Sequence, residues 1–214
     1  MLHLNNLLEF FLNIDVHLNS VIQNYGGLTY LVLFLTIFAE TGFVIFPFLP
    51  GDSLLFAAGA FASQGSLNIF WLWLFLSVAA IIGDTINYLA GKRLGPKIFT
   101  SETNRFLNKD YLNRAANFYE RHGTKTIVIA RFLPIIRTFA PFVAGIGRMN
   151  YSKFITYNIS GALIWVTLFL FAGYRFGNLP VVRENFTTVV FVIIAISILP
   201  TIIELIRHRS RKTG

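Results

Sequence analysis

The sequence predicts an all-α, multi-pass membrane protein, and this prediction rests on composition, apolar runs and charge placement. The 214 residues are 55% hydrophobic and only 13% charged, which is rare for a soluble domain. The runs 67–90, 154–172 and 186–206 each approach or exceed the roughly 20 apolar residues that span a bilayer. A fourth run, 28–49, is apolar but contains Glu40 and Pro47, and Pro50 follows it directly. All 18 Lys and Arg residues follow position 91.

Residues 1–24 predict an amphipathic helix that lies in the membrane interface. Apolar and polar residues recur at helical spacing, which places them on opposite faces of the helix. The apolar face comprises Leu4, Leu7, Leu8, Phe11, Leu18 and Ile22. A short helix packed on the membrane bundle is the alternative interpretation.

The basic residues predict the topology. Eight of them lie from position 92 to 125, and four more lie in the tail at 207–214. Because basic loops stay on the cytoplasmic side, we expect this central loop and the C-terminus in the cytoplasm. An apolar stripe at helical spacing within 111–122 predicts a second interfacial helix, which Gly123 would end. The basic runs flank hydrophobic spans, so nucleic acid is not an expected partner.

The chain contains two similar halves. Two motifs recur, GKRLG at 91–95 as GYRFG at 173–177, and PGDSLLFAAGAF at 50–61 as IRTFAPFVAGIG at 136–147. The second alignment pairs Gly59 with Gly145. Glycines four positions apart in GKRLG and GYRFG permit close helix contacts, including contacts between copies of the chain in a homo-oligomer.

Each half is expected to form an apolar hairpin followed by one span. The predicted segments are a hairpin at 28–64 with a span at 67–90, a hairpin at 126–147 with a span at 151–172, and a final span at 186–206. If both hairpins are re-entrant, the halves enter from opposite faces, as in the inverted repeats of many secondary transporters. The prolines expected to break the hairpins are Pro47, Pro50, Pro134 and Pro141.

Two arginines, Arg131 and Arg137, lie in the apolar run ARFLPIIRTFAP. A charge at the bilayer centre costs about 3 kcal/mol on insertion scales, so both arginines need partners. Glu40 and Asp52 in the first hairpin are the simplest partners, and Asp84 is a third candidate. Hairpins that meet tip to tip would bring Glu40 and Asp52 to face the two arginines in carboxylate–guanidinium pairs.

Each of these polar residues also has a purely structural interpretation. Asp52 follows a Pro-Gly pair and could cap a helix, and either arginine could snorkel to the cytoplasmic edge. Asp84, Asn87 and Tyr88 share one helix face. They could form a secondary polar site, or they could be polar contacts that join helices.

The sequence predicts no enzyme chemistry, cofactor or metal site. It contains no cysteine, which excludes disulfides and thiol-based sites. No Ser–His–Asp arrangement, P-loop or HExxH motif is evident. The four histidines fall in expected loop or interfacial segments. Transport and membrane scaffolding are therefore the function classes that we expect.

Several long motifs resemble the bacterial DedA family. They are FAETG, PFLPGDSLLFAAGA, GDTINYLAGKRLG, FYERHG, ARFLPIIRTFAPFVAGIGRM and IRHRSRK. The likeness runs from about residue 14 to the basic tail. The resemblance implies a place in the superfamily of VTT-domain lipid scramblases, residence in the bacterial inner membrane, and a part in envelope integrity and division. The charged positions that the family requires match Glu40, Asp52, Arg131 and Arg137.

The resemblance further implies lipid transport that depends on the proton motive force. Members of the family are assigned the recycling of undecaprenyl phosphate, and one member is linked to phosphatidylethanolamine distribution. We therefore expect Arg131 and Arg137 to bind a phosphate head group, while Glu40 and Asp52 pair with them and carry protons.

Three alternatives to this transporter remain open. The protein could be a phosphatidylethanolamine flippase or scramblase. It could be a proton-coupled antiporter of small cations, with Glu40, Asp52 and Asp84 as the ion site. It could also be a membrane scaffold that holds anionic lipid through the basic helix and tail.

Overall fold

The computed structural model describes residues 26–43, 51–98, 119–120, 123–185, 188–189 and 192–193, and all regular structure in them is helical. This confirms the all-α prediction for that part of the chain. The predicted interfacial helix at 1–24, most of the basic loop at 92–125 and the tail at 207–214 lie outside the described residues. So does the predicted span at 186–206, apart from the four helical residues given above.

The described residues form seven α-helices and one 3₁₀ turn. The helices are α1 (Leu28–Gly42), α2 (Gly51–Ser63), α3 (Ile69–Ile98), α4 (Thr126–Ala130), α5 (Pro134–Ile146), α6 (Tyr151–Phe176) and α7 (Pro180–Glu184), with the 3₁₀ turn Gly123–Lys125 before α4. The apolar segments Ile69–Leu94 and Tyr151–Phe176, 26 residues each, are long enough to cross a membrane. The predicted spans at 67–90 and 151–172 are therefore present as α3 and α6.

Both long helices begin at an asparagine cap. The Asn68 side-chain oxygen accepts hydrogen bonds from the N–H groups of Phe70 at 3.0 Å and Trp71 at 3.3 Å. Asn150 accepts from the N–H of Ser152 at 2.9 Å. A cap of this kind satisfies donors that the first helical turn leaves without partners. The same residue type thus opens the span of each half.

The GKRLG motif lies within its helix, whereas GYRFG lies at the end of its helix. The helix α3 continues through 91–95 to Ile98, and α6 includes all of GYRFG except the last glycine. Gly91, Gly173 and Gly177 pack against other helices of the same chain. The close contacts that these glycines permit are therefore used within the chain, and the predicted homo-oligomer gains no support from them.

The helix α2 packs against α6 through two glycines. A Cβ on Gly59 would overlap the backbone oxygen of Leu170, and a Cβ on Gly173 would overlap the backbone oxygen of Phe56. The two backbones touch directly, so any larger side chain at either position would push α2 and α6 apart.

The helix α5 packs against α3 in the same way. A Cβ on Gly145 would overlap the backbone oxygen of Tyr88, and a Cβ on Gly91 would overlap that of Phe142. Each half therefore supplies a short helix that lies, glycine to backbone, against the long helix of the other half.

Apolar side chains between α1, α2, α3 and α6 form the main core. Its largest buried members are Leu33, Ile37, Leu55, Leu72, Leu76, Trp165, Val166 and Leu170. Burial of these side chains holds the four helices together around the buried polar residues.

The predicted proline breaks are correct only in part. The second hairpin breaks at 131–133, and Pro134 is the first residue of α5. Pro141, however, lies inside α5. It cannot donate the helical hydrogen bond to the Arg137 carbonyl, but α5 continues because its flank packs on α3. Pro47 and Pro50 lie outside the described residues.

Candidate functional site

Both arginines of the second hairpin are buried. Arg131 is 1% exposed and Arg137 is 6% exposed. Each guanidinium makes hydrogen bonds to carboxylates or amides on other helices. An arginine that snorkels keeps its charged end in water, so the snorkelling interpretation is wrong for both residues.

Arg137 joins the two halves through a pair of carboxylates. Its Nη1 donates to the Asp52 carboxylate on α2 at 2.8 Å, and its Nη2 donates to the Glu40 carboxylate on α1. The Gly51 N–H also donates to Glu40, at 3.2 Å. A Cβ at Gly51 would overlap the Glu40 carboxylate, so glycine is needed at the start of α2. The predicted pairing of the hairpins is present at Arg137.

Arg131 has other partners than the sequence predicted. Its Nη2 donates to Asp84 on α3 at 2.5 Å and to Asn158 on α6 at 2.6 Å, not to Glu40 or Asp52. The physical reason is position, because Arg131 follows α4 and lies between the two long helices. The third candidate partner, Asp84, is therefore the correct one.

Asn158 and Trp165 belong to the site, and sequence reasoning missed both. The Asn158 amide donates to the Ile81 carbonyl at 3.0 Å, which fixes its oxygen toward Arg131. The Trp165 indole N–H donates to Asp52 at 2.8 Å. Asn158, Gly161 and Trp165 stand at i, i+3 and i+7, so they line one face of α6. A polar residue and a tryptophan at that spacing in an apolar span were the available signal.

The Trp165 ring is in contact with both arginines. The guanidinium carbon of Arg137 is 5.0 Å from the ring centroid, and that of Arg131 is 5.9 Å from it. These distances are those of cation–π contacts, which strengthen when water is excluded. Trp165 is fully buried, and the same apolar ring contacts both guanidinium groups.

The three residues of the predicted secondary polar site, Asp84, Asn87 and Tyr88, make separate contacts. Asp84 pairs with Arg131, as described above. The Asn87 amide donates to the carbonyls of Thr41 at 3.2 Å and Thr138 at 2.8 Å, which joins α1, α3 and α5. The Tyr88 hydroxyl donates to the Met149 carbonyl at 2.5 Å. The interpretation as a polar contact between helices is therefore correct for Asn87, whereas Tyr88 joins α3 to the turn between α5 and α6.

The helix-cap interpretation of Asp52 is wrong in detail. Asp52 lies inside the first turn of α2, which begins at Gly51. Its carboxylate accepts from Arg137 and Trp165. A negative charge in this first turn is also favourable toward the helix dipole.

The site contains three carboxylates and two guanidinium groups, and three atoms of these groups are of particular interest. Those atoms are Glu40 Oε2, Arg131 Nε and Arg131 Nη1, which are buried and have no hydrogen-bond partner among the described residues. Unpaired buried donors favour an anion, and an unpaired carboxylate oxygen can accept a proton. In the described part of the chain, no three His, Asp or Glu side chains are grouped as metal ligands.

Comparisons with known proteins place the chain in a family. The VTT domain family matches residues 49–175, a range that contains Asp52 and both arginines but not Glu40. Protein DedA of Escherichia coli (strain K12) is 50% identical over 205 residues, or 95% of this chain and 94% of the relative. No solved structure matches the chain.

Two further relatives are described as membrane proteins. An uncharacterized membrane protein of Mycobacterium leprae (strain TN) is 42% identical over 167 residues, 78% of this chain and 75% of its own length. Inner membrane protein YqjA of Escherichia coli (strain K12) is 34% identical over 155 residues, 72% of this chain and 70% of its own length. The domain match and the near-full-length identity together show that the chain belongs to the DedA family of VTT-domain membrane proteins.

Proposed function

We propose that the protein is an inner-membrane transporter that moves a phosphate-bearing lipid, such as undecaprenyl phosphate, across the bilayer. The observation that carries this proposal is the buried set of two arginines held by acids from neighbouring helices. Guanidinium groups are the side chains best suited to bind phosphate.

The proposed mechanism is an exchange of partners without covalent chemistry. In the absence of lipid, Arg137 holds the carboxylates of Glu40 and Asp52. A phosphate that takes the guanidinium displaces a carboxylate. An apolar environment favours the neutral form of an acid once its cationic partner has gone, so the freed carboxylate takes up a proton. Movement of lipid is thereby coupled to movement of a proton.

An inverted repeat would supply the two access states. The reciprocal packing of α2 on α6 and of α5 on α3 supports a two-fold relation between the halves, as do the matching caps Asn68 and Asn150. In repeats of this kind, one half rocks against the other around a fixed site. The pairs made by Arg137 cross between the halves, so their exchange would change how firmly the halves hold together.

Transport into proteoliposomes tests the proposal. We expect undecaprenyl phosphate in the outer leaflet to become protected from an added phosphatase, faster under an imposed pH gradient than without one. Phosphatidylethanolamine, followed with an impermeant amine-reactive reagent, separates the alternative flippase from the proposed carrier of phosphate monoesters. Protein-free vesicles are the control. If neither lipid moves under any gradient, the proposal is wrong.

A further inference from the structure

We infer that the two arginines have different tasks, and that Arg131 together with Asn158 forms the subsite that first binds the phosphate group of an anionic amphiphile. This inference rests on the proposed function and assigns a distinct part of it to a distinct pair of residues. Arg137, with Glu40 and Asp52, is then the group that responds to the bound anion.

Arg131 has guanidinium N–H groups that no acceptor among the described residues binds. Arg131 uses one nitrogen, Nη2, for both Asp84 and Asn158, and its Nε and Nη1 have no partner in the described part of the chain. Arg137 instead uses both of its terminal nitrogens on carboxylates. A phosphate oxygen can therefore bind these nitrogens of Arg131 without breaking an existing hydrogen bond, whereas at Arg137 it must first displace an acid.

The two arginines also differ in the number of negative charges beside them. Arg131 is in contact with one carboxylate, that of Asp84, while Arg137 is in contact with two. An incoming anion meets less repulsion at the arginine that has one acidic partner. The remaining partner of Arg131 is the neutral oxygen of Asn158, which accepts a hydrogen bond without adding negative charge.

Asn158 acts as a positioning residue. Its amide nitrogen is held by the Ile81 carbonyl at 3.0 Å and by the Thr85 hydroxyl at 3.4 Å. The opposite side of the amide must therefore present its oxygen to Arg131. This arrangement helps to fix the plane of the guanidinium, whose Nε and Nη1 have no partner among the described residues.

The Nε edge lies against a glycine. A Cβ built on Gly161 would stand 3.0 Å from Arg131 Nε, 3.1 Å from its Cδ and 3.3 Å from the Val128 Cα. A methyl group there would therefore crowd the unpaired donor without changing any charge. Because Gly161 has no side chain, no atom of this residue crowds the Nε edge of the guanidinium.

The surroundings point to an amphiphile as the ligand. Ile129 and Phe132, on either side of Arg131 in sequence, are 39% and 37% exposed, and Ile159 beside Asn158 is 40% exposed. Exposed apolar side chains thus flank both residues of the subsite in sequence, and a hydrocarbon chain attached to the phosphate could pack on them. Inorganic phosphate has the same head-group chemistry but gains nothing from these side chains, so the two ligands can be distinguished by experiment.

Trp165 provides the measurement. The chain has three tryptophans, and replacement of the other two in W71F/W73F leaves Trp165, whose ring is 5.9 Å from the Arg131 guanidinium carbon, as the reporter. The full-length protein in phosphatidylcholine nanodiscs is titrated with undecaprenyl phosphate, and separately with inorganic phosphate. Saturable change in Trp165 emission reports binding.

Four variants in this background test the assignment. Arg131→Lys keeps a charge for Asp84 but lacks the extra donors, and Gly161→Ala keeps every charge. We expect both to weaken lipid binding roughly ten- to hundredfold, the effect of one charge-assisted hydrogen bond. The matched control Gly147→Ala should change lipid binding by less than about threefold, and Arg137→Lys should weaken it less than Arg131→Lys does while still impairing transport.

Each contrary outcome has a distinct meaning. Normal lipid binding by Arg131→Lys or Gly161→Ala, with loss in Arg137→Lys, would overturn the assignment while leaving the proposed function in place. Equal binding of inorganic phosphate and undecaprenyl phosphate would overturn the amphiphile as the ligand. Absence of any saturable change in the parent protein would count against the proposed function itself.

Discussion

Replacement of Arg137 by alanine is expected to abolish lipid transport and to destabilise the fold. The change leaves the buried carboxylates of Glu40 and Asp52 without the guanidinium that both contact. Removal of one partner from a buried ion pair costs about 3–5 kcal/mol. We expect a large fall in the thermal unfolding temperature in detergent, together with transport at the level of empty vesicles.

Two controls separate folding from function in this prediction. Arg175→Ala removes an exposed arginine near the end of α6 and should leave both stability and transport close to wild type. The triple variant Glu40→Gln, Asp52→Asn, Arg137→Gln removes all the charges of this group together. It should recover much of the lost stability but no transport. Normal transport by Arg137→Ala would contradict the role of Arg137 in lipid transport.

Alanine at Gly145 is expected to separate α5 from α3. The added methyl would overlap the Tyr88 backbone oxygen and lie 2.7 Å from the Lys92 nitrogen, and backbone atoms cannot move aside as a flexible side chain can. Overpacking of this kind costs about 1–3 kcal/mol. Gly59→Ala should have a similar effect on the α2–α6 contact, because Gly59 meets Leu170 and Tyr174 in the same manner.

Gly147→Ala is the matched control for Gly145→Ala. Its Cβ would have no neighbour closer than 3.4 Å, and the residue follows the end of α5. Thermal unfolding of the three glycine variants in one detergent gives the comparison. If Gly145→Ala were as stable as Gly147→Ala, the direct backbone contact between α3 and α5 would be wrong.

The sequence was sufficient to predict that both arginines have buried partners. A guanidinium in an apolar run must be paired, and few acids occur in the other apolar runs of this chain. The choice between those acids was correct for Arg137 and wrong for Arg131. The choice depends on the direction that the chain takes after α4 ends. The apolar pattern around 131–133 does not indicate that direction.

Asn158 and Trp165 show a second limit of sequence reasoning. An asparagine in a membrane helix is commonly a contact between helices, and a tryptophan there is commonly an apolar core residue. Their functional placement comes from sharing one face of α6 with Gly161, opposite a charged residue that is distant in sequence. Only the packing of α6 against α4 and α2 brings that face to the arginines.

Short motifs predict an internal repeat, and its inverted arrangement stays a prediction. The alignment of Gly59 with Gly145 identified two glycines that make corresponding contacts with the opposite long helix. The end of the first long helix was less well predicted, because α3 continues past the predicted span at 67–90 to Ile98. Packing against α5 overrides the weak helix preference of glycine at Gly91, which lies in this extension.

Proton movement during lipid transport is the most direct test of the exchange mechanism. Proteoliposomes that contain a trapped pH indicator would be supplied with undecaprenyl phosphate in the outer leaflet, with wild type compared against Glu40→Gln. The account predicts lipid-dependent proton movement in wild type and its loss in Glu40→Gln, which retains the shape of the side chain but cannot carry a proton. Proton-coupled lipid transport that is unchanged in Glu40→Gln would contradict it.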